Sequence, residues 1–228
     1  MDSHPHTARS ARALAASLEK HDPFWAPQLV VGAAILLDFT LSKRVAVGPT
    51  WLLPLVEGLA LLGLIAASPH PRMRHSPLRR TIAIALIGLV SAVNSVSLVL
   101  LCHYLLRGGT SNGRELILSG VVLWTTNVLL FGLWYWELDR GGPLVRASES
   151  DASVDFLFVQ MSEPRHAPLD WKPTLIDYLY TSFTNATAFS PTDTMPLTAR
   201  AKVLMAAQSL TALVTVGLVV ARAVNILQ

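Results

Sequence analysis

Hydrophobic residues occur along the chain in five long blocks that are separated by short polar stretches. The blocks cover residues 28–41, 50–67, 81–106, 116–138 and 199–227. A helix needs about 20 apolar residues to cross a bilayer, and the last three blocks reach that length. The first block is short for a span, and the second contains Pro54 and Glu57. The pattern predicts an all-α polytopic membrane protein with about five transmembrane helices.

The composition supports a membrane protein and excludes several other classes. Hydrophobic residues make up 52% of the 228 residues and charged residues 14%, whereas a soluble domain carries about 25% charged residues. The single Cys102 rules out an intrachain disulfide and a cysteine-based metal site. No nucleophile–base pair, metal-ligand motif or aromatic-lined basic stripe is present. We therefore expect no enzyme activity, no catalytic residue, no cofactor or metal, and no nucleic-acid partner.

The stretch between the fourth and fifth blocks has a different pattern. Pro164, Pro168 and Pro173 interrupt it, and a short helix is predicted from Thr174 to Thr187. This helix is too short and too rich in hydroxyl groups to cross a bilayer alone. Irregular backbone at membrane depth is tolerated where it lines water or is buried in protein. A short helix, an irregular segment and then a full span together indicate a re-entrant loop.

The run Thr-Asn-Ala-Thr-Ala-Phe-Ser-Pro-Thr-Asp-Thr-Met-Pro-Leu-Thr, residues 184–198, resembles the pore loop of tetrameric potassium-channel-like proteins. Asp193 falls on the aspartate that follows the filter in that family, and Pro196 and Thr198 fall on its proline and threonine. The resemblance implies a homotetramer in the cell membrane. The hydrophobic pattern gives a polar N-terminal segment (1–24) and three membrane helices (25–110), which the resemblance does not cover, and the resemblance implies a pore-like module (111–228). Within the module it implies an outer helix (112–140), a loop (141–172), a pore helix with a filter-like loop (173–198) and an inner helix (199–227).

The predicted filter departs from the family pattern. Where the family has Thr-Val-Gly-Tyr-Gly, this chain has Ala-Phe-Ser-Pro-Thr at 188–192. A non-glycine residue in a left-handed conformation costs about 1–2 kcal/mol, and Pro191 fixes its own φ near −65°. We therefore expect monovalent cations to pass with poor selectivity. The predicted ion pathway consists of Thr187, Ala188, Phe189, Ser190, Pro191, Thr192 and Asp193. The alternative is a non-conducting scaffold or regulatory subunit that keeps the channel-like fold.

Polar residues on the last helix and charges before it extend this interpretation. Gln208, Thr211 and Thr215 share one face of a helix. They are predicted to line a water-filled pore, with hydrogen bonding to a neighbouring subunit as the alternative. Residues 137–177 carry eight acids and four bases. Such a negative field concentrates cations, although a loop that is acidic only for solubility is equally consistent with the count.

Four further polar residues lie inside or beside the apolar blocks. Asp38 and Glu57 are either an ion or proton site between the first two spans or, for Asp38, an acid near the membrane edge close to Lys43 and Arg44. Asn94 and Asn127 fall near the middles of the third and fourth blocks. We expect these two amides to form hydrogen bonds between helices, in preference to lining an ion pathway.

The orientation of the chain receives two conflicting predictions. Arg72, Arg74, Arg79 and Arg80 precede the third block, which places that connection in the cytoplasm. Two further crossings would put the pore loop on the same side. The resemblance implies a pore loop that opens outward, and we favour this orientation.

Overall fold

The computed structural model of the chain describes residues 25–41, 55, 58–59, 61–62, 77–106, 113–147, 153–169, 171–188 and 193–226. Within these residues the helices are α1 (Trp25–Asp38), α2 (Pro77–Leu106), α3 (Gly113–Leu138), α4 (Pro143–Ala147), α5 (Val159–Ser162), α6 (Leu175–Ala188) and α7 (Ala199–Ile226). Short 3₁₀ turns cover Asp139–Gly141 and Pro164–His166, and the strands are β1 (Phe156–Phe158) and β2 (Thr194–Pro196). The predicted polar segment 1–24 lies outside the described residues, as does most of the second apolar block with Glu57.

Three of the described helices are long and apolar enough to cross a membrane. The candidate spans are Arg80–Leu105, Arg114–Gly141 and Ala199–Ala221. They correspond to the third, fourth and fifth apolar blocks, whose helical character is thus confirmed. The first block forms α1, an apolar helix of 14 residues that is shorter than these spans.

The long helices are arranged around α3 with alternating direction. Arg80, near the start of α2, donates from Nε to Glu137 Oε1 at 2.7 Å, near the end of α3. Arg200, near the start of α7, donates to the carbonyl oxygen of Leu138 at 3.0 Å. The starts of α2 and α7 and the end of α3 therefore share one end of the bundle. We call this the loop end, and the opposite one the far end.

The predicted irregular loop 141–172 has more structure than its sequence indicated. It contains α4, β1, α5 and a 3₁₀ turn, and β1 pairs antiparallel with β2 in the register Phe156–Pro196, Leu157–Met195 and Phe158–Thr194. This small sheet was missed because each strand has only three residues and β2 contains a proline. The all-α prediction therefore holds for the bundle, but not for this connection.

Candidate functional site

The short helix predicted from Thr174 to Thr187 is present as α6, one residue displaced at each end; its role as a pore helix stays a prediction. Its start is fixed by Asp177, whose carboxylate accepts hydrogen bonds from the Thr174 N–H at 2.7 Å and the Thr174 hydroxyl at 2.8 Å. Both bonds are donated by Thr174, and the first gives a partner to a backbone N–H that the helix itself leaves unpaired. The sequence Pro-Thr-x-x-Asp at 173–177 encodes it.

Side chains of α6 meet α3 at successive positions, and the two helices run in opposite directions. Tyr178 donates its hydroxyl to Asp139 Oδ2 at 2.6 Å, at the loop end. Further along, Ser182 donates to the carbonyl oxygen of Val128 at 2.6 Å. The rings of Phe183 and Trp124 meet edge to face with centroids 6.0 Å apart. The helix therefore enters beside the end of α3 and continues towards its middle.

The chain is back at the level of the first half of α6 by residue 194. The hydroxyl oxygens of Thr194 and Thr181 are 3.0 Å apart and hydrogen-bonded. Thr194 then begins β2, which pairs with β1, and α7 follows from Ala199. Both described ends of the segment 175–198 therefore lie near the loop end.

A buried polar cluster joins α6 to α3 and α7. Gln208 Nε2 donates to the Ser182 carbonyl oxygen at 2.9 Å and to the Ser182 hydroxyl at 2.6 Å. Gln208 Oε1 accepts from Asn185 at 2.8 Å and from the Tyr135 hydroxyl at 2.5 Å. Because all four side chains are buried within one chain, a polar group left without its partner there would cost about 1–3 kcal/mol. The cluster therefore holds the position of α6 between the long helices.

A second polar network fixes the return of the chain at the loop end. Asp139 Oδ1 accepts from the backbone N–H groups of Asp155 and Phe156 at 3.0 and 3.3 Å. Asp155 in turn accepts from the Thr198 hydroxyl at 2.5 Å, from Arg200 Nε at 2.8 Å and from the Arg140 N–H at 3.0 Å. The network connects the end of α3, the start of β1 and the start of α7.

The Asp155 carboxyl group is held in its ionised form by these partners. Burial by itself would raise the pKa of Asp155, but the hydrogen bonds from Arg200, Thr198 and Arg140 and the charge of Arg200 outweigh burial. The net effect is a pKa below the ordinary value.

Aromatic rings and a guanidinium group cover the Asp139 side of this network. The Tyr178 ring packs edge to face on Phe158 at 5.3 Å, and the Arg146 guanidinium lies 5.1 Å from the Tyr178 ring centroid. Arg146 also donates to the carbonyl oxygens of Trp136 and Asp139 at 2.6 and 3.0 Å. A charged group is thus stabilised by carbonyl dipoles and π faces while almost fully buried.

The described residues of the predicted ion pathway lie on either side of residues 189–192. Thr187 and Ala188 are exposed at the end of α6, and the Thr187 hydroxyl donates to the carbonyl oxygens of Phe183 and Thr184 at 2.9 and 3.2 Å. Asp193 is exposed at the start of the return. Phe189, Ser190, Pro191 and Thr192 lie outside the described residues.

The three residues of α7 that are predicted to line the pore have different surroundings. Gln208 and Thr215 are 0% and 1% exposed inside the chain. Thr211 is half-buried, and its hydroxyl donates to the Ala207 carbonyl oxygen at 2.9 Å. The single chain thus brings Gln208 to α6, and the pore-lining role of the three residues stays a prediction.

Several residues of these networks were not singled out from the sequence. Ser182 was included only in the hydroxyl-rich character of the predicted helix, and Asn185 only in the run 184–198 that resembles a pore loop. Asp139 and Asp155 entered only charge counts, and Arg200 was not considered. Their partners are far away in sequence, so periodicity gives no signal for the pairs. A buried-face position for Asn185, seven residues after Tyr178 on α6, was the available clue.

No protein-family model, curated protein or solved structure matches this chain. The interpretation of the segment therefore depends on its residues and their geometry. The described residues contain no group of three or more His, Cys, Asp or Glu side chains placed to hold a metal ion.

Proposed function

We propose that the chain is a subunit of a membrane pore in which residues 173–198 form a re-entrant pore helix and loop. In this proposal four copies assemble in the cell membrane, each chain crosses it several times, and monovalent cations pass with poor selectivity along Thr187–Asp193. The observation that carries the proposal is the course of the chain. It enters beside α3, reaches Val128 and is again beside Thr181 by Thr194.

The depth that α6 reaches supports a re-entrant segment. Ala186 packs in one cluster with Val128 of α3 and Ala212 of α7. Val128 precedes Asp139 by eleven residues, which is roughly 16 Å along a helix. The hydrocarbon core of a bilayer is about 30 Å thick. If α3 spans the membrane, α6 ends near the middle of it.

The direction of α6 favours cations at that depth. The C-terminal end of a helix carries a partial negative charge from its unpaired carbonyl groups. The last residues of α6, Thr187 and Ala188, are exposed. In a symmetric assembly four such helix ends would converge on the axis, where they would stabilise a positive ion more strongly than one helix end does.

Exposed faces on α6 and α7 are available to neighbouring copies. Ile176, Tyr180 and Phe183 form a stripe on α6 with exposed fractions of 76%, 53% and 47%. On α7 the buried positions are confined to one narrow stripe, and Val203 and Leu210 are among the exposed residues. These apolar faces would be covered by lipid or by other subunits. A pore requires that other subunits cover part of these faces.

We further propose that the loop end faces the cytoplasm, in place of the outward orientation favoured from the resemblance. Basic side chains described at that end are Arg80, Arg140, Arg146, Arg165, Lys172, Arg200 and Lys202. Arg114, at the start of α3, lies at the far end. An excess of Lys and Arg marks the cytoplasmic side of a membrane protein. The Arg80–Glu137 contact places the start of α2 at the same end as the start of α6.

A non-conducting scaffold is the second candidate, and the sequence of residues 188–192 favours it. Residues 188–192 contain no glycine and include Pro191, so successive carbonyl groups cannot all turn to one axis at low cost. The two candidates share the fold and differ in whether ions pass.

Cation flux into liposomes that contain the purified protein distinguishes the candidates. We expect flux of monovalent cations from a tetrameric protein, a larger leak in Phe189→Ala and a weaker cation preference in Asp193→Asn. Met195→Ala serves as a matched control because Met195 is exposed on β2, beside the pathway and outside it. A protein that is monomeric in detergent would contradict the pore. A tetramer whose wild-type and Phe189→Ala forms both pass no cation would establish the scaffold.

A further inference from the structure

Two apolar clusters fill the contacts among α1, α2 and α3. The cluster nearer the loop end includes Val31, Ala34 and Ile35 of α1, Leu86, Ile87 and Val90 of α2, and Leu130 and Leu133 of α3. The cluster nearer the far end contains Leu41, Leu98, Leu101, Leu116 and Leu123. Each of the three chain segments therefore contributes to both clusters.

Between the two clusters, every one of these segments carries a polar residue. Asp38 lies between Ile35 and Leu41, Asn94 between Val90 and Leu98, and Thr126 with Asn127 between Leu123 and Leu130. We call Asp38, Asn94, Thr126 and Asn127 the polar layer.

Helical spacing places these residues on the faces that pack together. Asp38 follows Val31, Ala34 and Ile35 by seven, four and three residues, which is the spacing of one helical face. Asn94 follows Ile87 and Val90 by seven and four residues. Thr126 precedes Leu130 and Leu133 by four and seven residues. The polar layer is thus internal to the bundle.

The polar layer contains hydrogen-bonding atoms that are buried and make no hydrogen bond to the described residues. They are Asp38 Oδ2, Asn94 Oδ1, Thr126 Oγ1 and Asn127 Nδ2. Asn94, Thr126 and Asn127 are 4%, 0% and 2% exposed. The predicted interhelical hydrogen bonds of these two asparagine atoms are therefore not found. Each such atom costs about 1–3 kcal/mol, and three helices carry this cost between the same two apolar clusters.

The hydroxyl of Thr126 differs from its neighbour. Thr125 donates to the carbonyl oxygen of Val121 at 2.9 Å, four residues earlier. Thr126 makes no hydrogen bond of this kind, so its oxygen is available to coordinate a cation. The indole nitrogen of Trp124 also makes no hydrogen bond, but Trp124 packs against Phe183 of α6 and belongs to a different face.

We propose that the polar layer binds a monovalent cation between α1, α2 and α3, at a site separate from the pore segment (residues 173–198). A carboxylate, an amide and a hydroxyl supply oxygen atoms, which are the ligands that hard cations prefer. Turning the Asn127 amide about its last bond exchanges its nitrogen for a further oxygen. The single carboxylate balances a single positive charge, and the described residues contain no group of three or more His, Cys, Asp or Glu side chains placed to hold a metal ion.

The test measures sodium binding to the purified full-length chain in detergent. We expect radioactive sodium to bind. We also expect the melting temperature to rise when sodium replaces N-methylglucamine at constant ionic strength. Asp38→Asn and Thr126→Val, which keep the side-chain shapes, should each weaken sodium binding by about tenfold or more, because each removes a charge or a ligand oxygen. Lithium and potassium in competition then give the size preference of the site.

Matched controls separate this site from the pore. Thr125→Val removes a hydroxyl that is already bonded to its own helix and should leave sodium binding unchanged. Asp193→Asn, in the pore segment, should also leave it unchanged, so the site stands or falls independently of ion conduction. Sodium binding that persists in both Asp38→Asn and Thr126→Val would overturn the proposal. A wild-type protein that responds to no alkali cation, or to pH alone, would overturn it as well.

Discussion

At the scale of single residues, Gln208 contributes more to the position of α6 than its place on a long apolar helix indicates. Its side chain is hydrogen-bonded to Ser182, Asn185 and Tyr135 at once. Gln208→Leu would leave the Tyr135 hydroxyl without its acceptor and would remove the hydrogen bonds that Gln208 makes to Ser182 and Asn185. We expect a loss of about 3 kcal/mol or more in the free energy of unfolding, which corresponds to a melting temperature roughly 6–12 °C lower.

Thermal unfolding followed by tryptophan fluorescence in detergent measures this effect. Thr211→Val is the matched control, because the Thr211 hydroxyl donates to a carbonyl oxygen of its own helix and is half-buried. That substitution should change the melting temperature by no more than a degree or two. Equal melting temperatures for Gln208→Leu and the wild type would show that the cluster does not hold α6.

Asp155 makes the stability of the loop end dependent on pH. Its pKa in the folded chain is below the ordinary value of 3.8. The carboxylate therefore contributes stability that is fully present above about pH 4, and this stability is lost as the pH falls through the folded pKa. Asp155→Asn should lower the melting temperature at pH 7 and remove this component of the acid dependence.

The comparison of wild type and Asp155→Asn between pH 3 and pH 7 isolates that component, since other carboxyl groups titrate in both proteins. Glu163→Gln, an exposed acid in the same connection, should leave the wild-type profile unchanged. Parallel profiles for wild type and Asp155→Asn would mean that Asp155 is not the group responsible.

At the scale of elements, the contact of α6 with α3 depends on a glycine. A Cβ atom at Gly132 would lie 2.6 Å from Leu179 Cδ2 and 3.1 Å from Leu179 Cα. The side chain of Leu179 can rotate, but its backbone cannot move without displacing α6. We expect Gly132→Ala to destabilise the fold by about 1–3 kcal/mol, even though alanine favours a helix.

Gly217→Ala is the control for this substitution, because a Cβ atom at Gly217 meets no atom within 4 Å. It should leave the melting temperature unchanged or raise it slightly. Thermal unfolding of the two variants side by side decides the matter. A Gly132→Ala protein as stable as Gly217→Ala would mean that α6 is not packed as closely as described.

At the scale of the whole molecule, the proposed orientation rests on where the basic residues lie. Single cysteines introduced by Glu163→Cys at the loop end and Glu115→Cys at the far end report the two sides, in a chain with Cys102→Ser. Both glutamates are exposed. We expect a membrane-impermeant maleimide to label the Glu115→Cys variant in intact cells and the Glu163→Cys variant only after permeabilisation. The reverse labelling would restore the outward pore loop implied by the family resemblance.

The sequence by itself determined the helices. Apolar blocks set α2, α3 and α7, and the Thr174–Asp177 cap with the apolar spacing that follows set α6, because these signals act within one or two helical turns. A strand of three residues such as β1 has no comparable signal, since its partner lies 38 residues further along the chain.

Only the tertiary structure decided which polar groups meet. Tyr135 and Gln208 are 73 residues apart, and Arg200 and Asp155 are 45 apart. Each of these residues taken alone is compatible with lipid, water or a neighbouring subunit. The coincidence of Asp38, Asn94 and Thr126 between two apolar clusters likewise depends on how three helices are aligned in depth. Helix periodicity fixes the face on which a residue lies, but the vertical offset between helices is set by packing and by hydrogen bonds between distant residues.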